Sequence, residues 1–220
     1  MPKRRKPKIE FRYYRMPDGS PILALLGQRW VQSYGRDIDY LHFHNYLEIG
    51  YCYDGKGTLT LGERDYRFTG GEISIIPKNY PHTTNSDPGM ISKWEYLFVD
   101  VEGILEELYQ KAGNEKRMNH LLRRINSRAI FRAVEDAPGI AKTVRNILDI
   151  MRDTKEFYIE EAKGLMVALL VSIARENPTE KGLAELSGKM TIPVSRALDY
   201  ITLHYMEPLR VEELARWCHI

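Results

Sequence analysis

The stretch His42-Phe43-His44-Asn45-Tyr46-Leu47-Glu48 decides how this chain is read, together with a third histidine, His82, that follows the Gly70-Gly71 turn and Pro77. Two imidazoles and a carboxylate fall at even offsets in one short segment. On an extended strand, residues at even offsets share a face. A single strand running through the segment would therefore aim His42, His44 and Glu48 the same way, with Tyr46 beside them. The odd positions, Phe43, Leu47, Ile49 and Tyr51, are more apolar, and a bulge between His44 and Glu48 would change the aim. Three imidazoles and a carboxylate are a ligand set for a divalent transition ion such as Zn(II), Ni(II), Mn(II) or Fe(II). The same groups also serve as polar fixtures of a small-molecule pocket.

The surrounding sequence is rich in strand signals. Short runs of β-branched and aromatic residues occur at Ile9–Arg15, Ile22–Leu26, Tyr46–Tyr53, Thr58–Leu61, Arg64–Phe68, Ile73–Ile76 and Ile91–Val101. Turn residues separate them: Asp18-Gly19, Asp54-Gly55-Lys56-Gly57, Gly62-Glu63, Gly70-Gly71 and Asp87-Pro88-Gly89. Many short strands at this spacing predict a closed or double-sheet β architecture, with a hairpin turning at Gly62. Trp94, Tyr96 and Phe98 alternate on the last run. Their rings are either core or, for Trp94 and Tyr96, the aromatic wall of a pocket shared with His42, His44, Tyr46, Glu48 and His82.

Beyond Glu102 the period changes to helical. Ile140, Val144, Ile147, Leu148 and Met151 form one apolar stripe, and Phe157 to Arg175 carries a second in Tyr158, Ala162, Leu165, Met166, Leu169, Leu170 and Ile173. Val167, Ala168 and Val171 widen that second stripe, enough to pack on the sheet on one side and meet a second copy of the chain on another. Residues 177–192 mix Asn-Pro, Lys-Gly and Ser-Gly-Lys and read as a linker. Pro193 then opens a further amphipathic helix, Pro208 ends it, and a shorter one covers Val211–Trp217. The chain stops at Ile220 without a helix stop signal, which reads as an interruption inside a motif.

Composition narrows the class. With 220 residues, 43% hydrophobic and 28% charged, the chain resembles an ordinary soluble globular protein of one or two domains. Cys52 and Cys218 are too few and too far apart for a disulfide framework, so a reducing cytoplasm is the expected location. The strongest apolar run, Gly164–Ala174, is too short to span a bilayer. Lys3, Arg4, Arg5, Lys6 and Lys8 make a basic arm with no apolar signal segment after it, on a body that is net acidic.

The spacing Gly35-x6-His42-x-His44-x3-Glu48-x6-Gly55, followed by Gly71-x5-Pro77-x-Asn79-x2-His82-x2-Asn85, resembles the two motifs of the cupin superfamily. Asn79 stands where that family usually has Gly, and Asn tolerates the left-handed backbone better than most residues. The resemblance implies a jelly-roll β-barrel over residues 9–101. In its metal-binding members the positions matching His42, His44, Glu48 and His82 hold the ion.

The far end carries a second resemblance. Ala197, Tyr200, Ile201, His204, Tyr205, Pro208, Leu209, Val211, Glu212, Glu213, Leu214 and Ala215 are spaced like the opening of the AraC/XylS DNA-binding domain, the first of its two helix-turn-helix units. Tyr200, Ile201, Leu209, Val211, Leu214 and Ala215 would be its structural contacts. Arg210 departs from the Ser or Thr that usually caps the second helix. The fold expected from both resemblances is mostly β with added α: a basic arm at 1–8, a cupin-like sensor at 9–101, a helical dimerisation region at 102–176, a linker at 177–192 and a truncated helix-turn-helix at 193–220. The implied function is the effector-sensing and dimerising part of a DNA-binding transcription regulator, taking a small molecule such as a carbohydrate and catalysing nothing. Arg196, Arg210 and Arg216 are outnumbered by Asp199, Glu207, Glu212 and Glu213, so this chain is not expected to select operator DNA by itself. The alternative is a metal-dependent cupin enzyme of the dioxygenase or isomerase type, which explains the histidines but not the C-terminal helices.

Overall fold

A computed structural model describes residues 8–27, 40–109 and 114–177, and in the C-terminal part residues 197, 200, 201, 204 and 206–218. Most of the basic arm, Gly35 and the stretch 178–192 lie outside the described residues. Two compact units divide between Asn177 and Pro178.

Among the described residues, the first unit holds ten strands and four α-helices. In chain order these are β1 (Lys8–Arg12), β2 (Ile22–Leu25), β3 (Tyr40–His44), β4 (Leu47–Asp54), β5 (Gly57–Leu61), β6 (Arg64–Phe68), β7 (Glu72–Ile76), β8 (His82–Ser86), β9 (Lys93–Val99), α1 (Val101–Tyr109), α2 (Glu115–Ile125), β10 (Ile130–Ala133), α3 (Pro138–Asp153) and α4 (Tyr158–Glu176). They form two five-stranded sheets, ordered β1-β3-β8-β5-β6 and β10-β7-β4-β9-β2. All pairings are antiparallel except β1 on β3. This is the cupin-like β architecture with helices that the sequence predicts.

Alternation on β4 explains the layering. Leu47, Ile49 and Tyr51 face one way and join Ile73, Ile75, Leu97 and Val99 in a core with Ile140, Val144, Ile147, Leu148, Met166, Leu169 and Ile173 of the helices. Cys52, with Ile76, Trp94, Tyr96 and Phe98, faces the other way, against Leu59, Leu61 and Phe68 of the first sheet. The apolar odd positions are therefore the helix-facing side of the strand, and the even positions face the interior between the sheets. Gly50 sits on that interior side, where an added Cβ would lie 2.5 Å from Ser74 Oγ and 3.0 Å from Tyr96 Cε1. No side chain fits there without displacing them.

Three expectations are corrected. The His42–Glu48 segment is not one strand: it bends at Asn45 and Tyr46, and the chain passes from β3 in the first sheet to β4 in the second. The stretch 102–176 is not helical alone, because β10 lies within it and pairs with β7. The last predicted run is strand only over Lys93–Val99, since Val101 already begins α1. The hairpin does turn at Gly62, whose φ of 60° is left-handed, with Leu61 opposite Arg64.

Glu95 ties the second sheet to α3. Its buried carboxylate accepts from Tyr53 Oη at 2.7 Å, Gly27 N at 2.7 Å and Arg152 Nη2 at 2.6 Å. One side chain thus joins β9, β4, the end of the β2 segment and the last turn of α3.

In the second unit, Ala197, Tyr200, Ile201 and His204 are helical, and α5 spans Val211–Cys218. The Tyr200 ring lies 5.4 Å from that of Trp217, so the two helical segments touch. Leu214 and Ala215 are half-buried. Leu209 and Val211, expected as buried contacts of the pair, are 43% and 78% exposed, and Ile201 is 37% exposed.

Candidate functional site

The bend at Asn45-Tyr46 does what a single strand could not. It leaves His42 and His44 on the inner face of β3 and brings Glu48 to the inner face of β4, across the interior from them. His82 begins β8 directly opposite His42. Nitrogen or oxygen atoms of His42, His44, Glu48 and His82 all lie within 4.8 Å of one another. His44, Glu48 and His82 are buried, and His42 is partly so. Asn79 holds the approach to His82: its φ of 60° makes the left-handed turn that Gly usually provides, and its N–H donates to the His44 carbonyl at 2.8 Å.

Hydrogen bonds fix the tautomers. His44 Nδ1 lies 2.9 Å from the Tyr46 carbonyl, and His82 Nδ1 lies 2.8 Å from the Tyr80 carbonyl. A carbonyl only accepts, so both Nδ1 atoms carry hydrogen and each neutral ring presents its Nε2 lone pair inward. Those lone pairs meet a third acceptor: Glu48 Oε2 is 2.9 Å from His44 Nε2 and 3.4 Å from His82 Nε2. The His82 contact does not meet hydrogen-bond geometry, and its Nε2 is buried without a hydrogen-bond partner among the described residues. Three facing acceptors repel unless a cation lies among them, either a proton on an imidazole or a metal ion.

The charges agree with that requirement. Burial pushes the Glu48 carboxyl up, but the pull of His82 and the hydrogen bond of His44, both present when those rings take a proton on Nε2, outweigh it and hold the group well below its ordinary range. His42 is pushed down to about 2, by burial first and by His82 next. It is therefore a neutral imidazole, the form that ligates metals. Metal–ligand bonds of about 2.0–2.2 Å put donors about 3.3–4.4 Å apart, the larger value for ligands across the ion from each other, so closing this group on an ion takes side-chain shifts of up to about an ångström.

An aromatic wall adjoins the cluster. Phe98 meets the His44 ring edge-on at 4.9 Å, and Tyr14 stacks on Phe98 at 4.0 Å. Asn45 pins Tyr14 through two hydrogen bonds, accepting from its N–H at 3.0 Å and donating to its carbonyl at 3.1 Å. Tyr46 packs half-buried at the edge of the interior. Trp94 and Tyr96 lie farther along β9, buried and near-parallel with centroids 5.8 Å apart, and Phe68 meets Trp94 edge-on. Trp94 Nε1 has no hydrogen-bond partner among the described residues. Tyr14 and Asn45 were not found from sequence. Their pairing joins residues far apart in the chain, and nothing local marks either.

Comparison with known proteins places this geometry. A family model described as the AraC-like ligand binding domain matches residues 32–170, which include all four clustered side chains and both sheets' central strands. The chain belongs to the AraC-like ligand-binding domain family. It is similar in structure to the AraC-like transcriptional activator CuxR, at 16% identity and a TM-score of 0.44, covering 80% of this chain and 57% of that one. It is also similar to ToxT from Vibrio cholerae, at 9% identity and a TM-score of 0.47, covering 79% of this chain and 60% of that one. A further ToxT structure, bound to (E)-4-(8-methylnaphthalen-1-yl)but-3-enoic acid, matches at 10% identity and a TM-score of 0.47, covering 91% of this chain and 71% of that one. No curated protein matches. This AraC-like domain chain thus spans under two thirds of the length of the first two structures. Among its described residues no helix is long and apolar enough to cross a membrane.

Proposed function

We propose that this chain is the effector-receiving part of an AraC-type transcription regulator whose His42, His44, Glu48 and His82 hold a divalent transition metal, Zn(II), Ni(II), Mn(II) or Fe(II), within the receptor. The observation that carries the metal is the convergence of two carbonyl-fixed Nε2 lone pairs on a buried carboxylate, with a neutral His42 beside them. Carbonyl partners on the far nitrogen are the usual support of metal-bound histidines. When bound, the ion would supply a fixed positive charge and a coordination point for an oxygen of the effector. Carbohydrate is the organic class this reading favours: the unpaired Trp94 N–H suits an oxygen acceptor, and the parallel Trp94 and Tyr96 rings suit an apolar sugar face. Protein purified without a metal-affinity column is expected to carry about one equivalent of transition metal by elemental analysis. Less than about a tenth of an equivalent in folded protein would leave the cluster only its role in the pocket.

The reading includes a homodimer. On α4, Gly164, Ala168, Val171 and Ser172 lie away from the core, and Gly164 and Ala168 are exposed. Their small size allows a second α4 to approach closely. Ala168→Arg is expected to convert dimer to monomer in sedimentation velocity without loss of helical signal; a variant that stays dimeric removes α4 from the interface. DNA enters through the regulator of which this chain is the sensing part. The chain itself, with its net acidic helix pair, is not proposed to select an operator.

A further inference from the structure

Asn177 is the last residue of the first unit, and it is 2% exposed. An asparagine amide is costly to bury unless each of its groups is paired. Here each polar atom of the amide has a partner, supplied by two arginines. Asn177 Nδ2 donates to the Arg124 carbonyl at 2.7 Å, and Asn177 Oδ1 accepts from Arg128 Nε at 3.0 Å. The Asn177 carbonyl accepts from Arg124 Nη2 at 2.6 Å, and the Glu176 carbonyl accepts from Arg128 Nη2 at 3.0 Å. Arg132 adds an ion pair to the Glu176 carboxylate at 3.3 Å.

The end of a helix leaves carbonyls without partners, usually satisfied by a glycine turn or by water. Here α4 has no such turn. Asn177 is already extended, at φ −86° and ψ 148°, and guanidinium groups do the capping. Their positive charge also suits the negative end of the helix. All three arginines come from one stretch: Arg124 from the last turn of α2, Arg128 from the turn after it and Arg132 from β10.

That stretch reaches the interior of the barrel. Phe131, next to Arg132, lies 5.7 Å from the Tyr66 ring of the opposite sheet. β10 runs beside β7, with Arg132 opposite Ile73, and β7 runs beside β4, with Ile76 opposite Glu48. The cluster is also held at a cost, because Arg124 Nε is buried with no hydrogen-bond partner among the described residues. We propose that Arg124, Arg128 and Asn177 form a latch that fixes where the chain leaves the sensor, and that β10 links this latch to the filling of the barrel. The latch deepens the regulator reading, since it is the place where a change in the receptor reaches the following unit. It does not depend on the metal.

Limited trypsin digestion of the 220-residue chain tests it. Arg175 is exposed in the last turn of α4, and cleavage there requires that turn to open. Lys142 and Arg145, exposed on α3, report opening of the whole unit. In Asn177→Ala and in Arg128→Lys, cleavage at Arg175 is expected to rise about ten-fold relative to Lys142 and Arg145, as losing two hydrogen bonds would allow. Lysine keeps the charge of Arg128 but not its two-pronged reach. Phe131→Ala, made inside the barrel, is expected to raise the same ratio. An unchanged ratio in Asn177→Ala and Arg128→Lys, including one in which all three sites speed up together, overturns the latch. A raised ratio there with none in Phe131→Ala overturns its link to the barrel. Neither result bears on metal content or DNA binding, so failure of the latch is distinguishable from failure of the regulator reading.

Discussion

Glu95→Ala is expected to lower the free energy of unfolding by about 2–4 kcal/mol, read from the urea midpoint at unchanged slope. The carboxylate is 5% exposed and accepts from three donors on three different segments. Removing it strands the Gly27 N–H and the Tyr53 hydroxyl, at about 1–3 kcal/mol for each donor left without a partner. Tyr53 is 38% exposed and recovers part of its share from water. Arg152, 41% exposed, also turns to water, so its ion pair adds little. Glu95→Gln keeps an acceptor in place and should lose distinctly less. A loss under about 0.5 kcal/mol for the alanine variant, the ordinary range for surface changes, would show that the network holds nothing together.

His44→Ala is expected to abolish a metal-dependent rise in melting temperature. If the cluster binds the ion in the folded state alone, free metal at about 100 times its dissociation constant stabilises the protein by about 2.7 kcal/mol. For a unit of this size that is a rise of about 5–11 °C. The measurement is a thermal shift on chelator-treated protein with Zn(II), Ni(II), Mn(II) and Fe(II) added in turn. Removing a direct ligand should cost more than the about 10–100-fold affinity loss typical of outer partners, so His44→Ala at the same metal concentration should show no rise. Equal shifts in wild type and variant would mean that the ion binds elsewhere.

The sequence carried the site further than the geometry around it. Spacing and residue type alone singled out His42, His44, Glu48 and His82, and the four do converge. The reason assumed for it, a single strand with common parity, is wrong: a two-residue bend delivers Glu48 from the facing sheet. β6 was legible to the residue because the turn signals Gly62-Glu63 and Gly70-Gly71 flank it. On α3, Ile140, Val144, Ile147 and Leu148 are all buried, as their spacing requires. β8 was missed because its sequence, His-Thr-Thr-Asn-Ser, shows no apolar alternation. β10 was missed because four residues between helices carry too little pattern to register. Tyr14, Asn45 and Asn177 act through contacts between distant parts of the chain, and no local window contains them.

β4 has a bearing on how such receptors diversify. From Leu47 to Cys52 every one of its residues is buried, alternately toward the helices and toward the inter-sheet space. Such a strand has no idle position from Leu47 through Cys52, so a change on its inter-sheet face is constrained by what packs on the reverse side. Novel chemical preference should therefore be acquired through the neighbouring strands of the opposite sheet and the segment bearing Tyr14, while β4 stays nearly frozen.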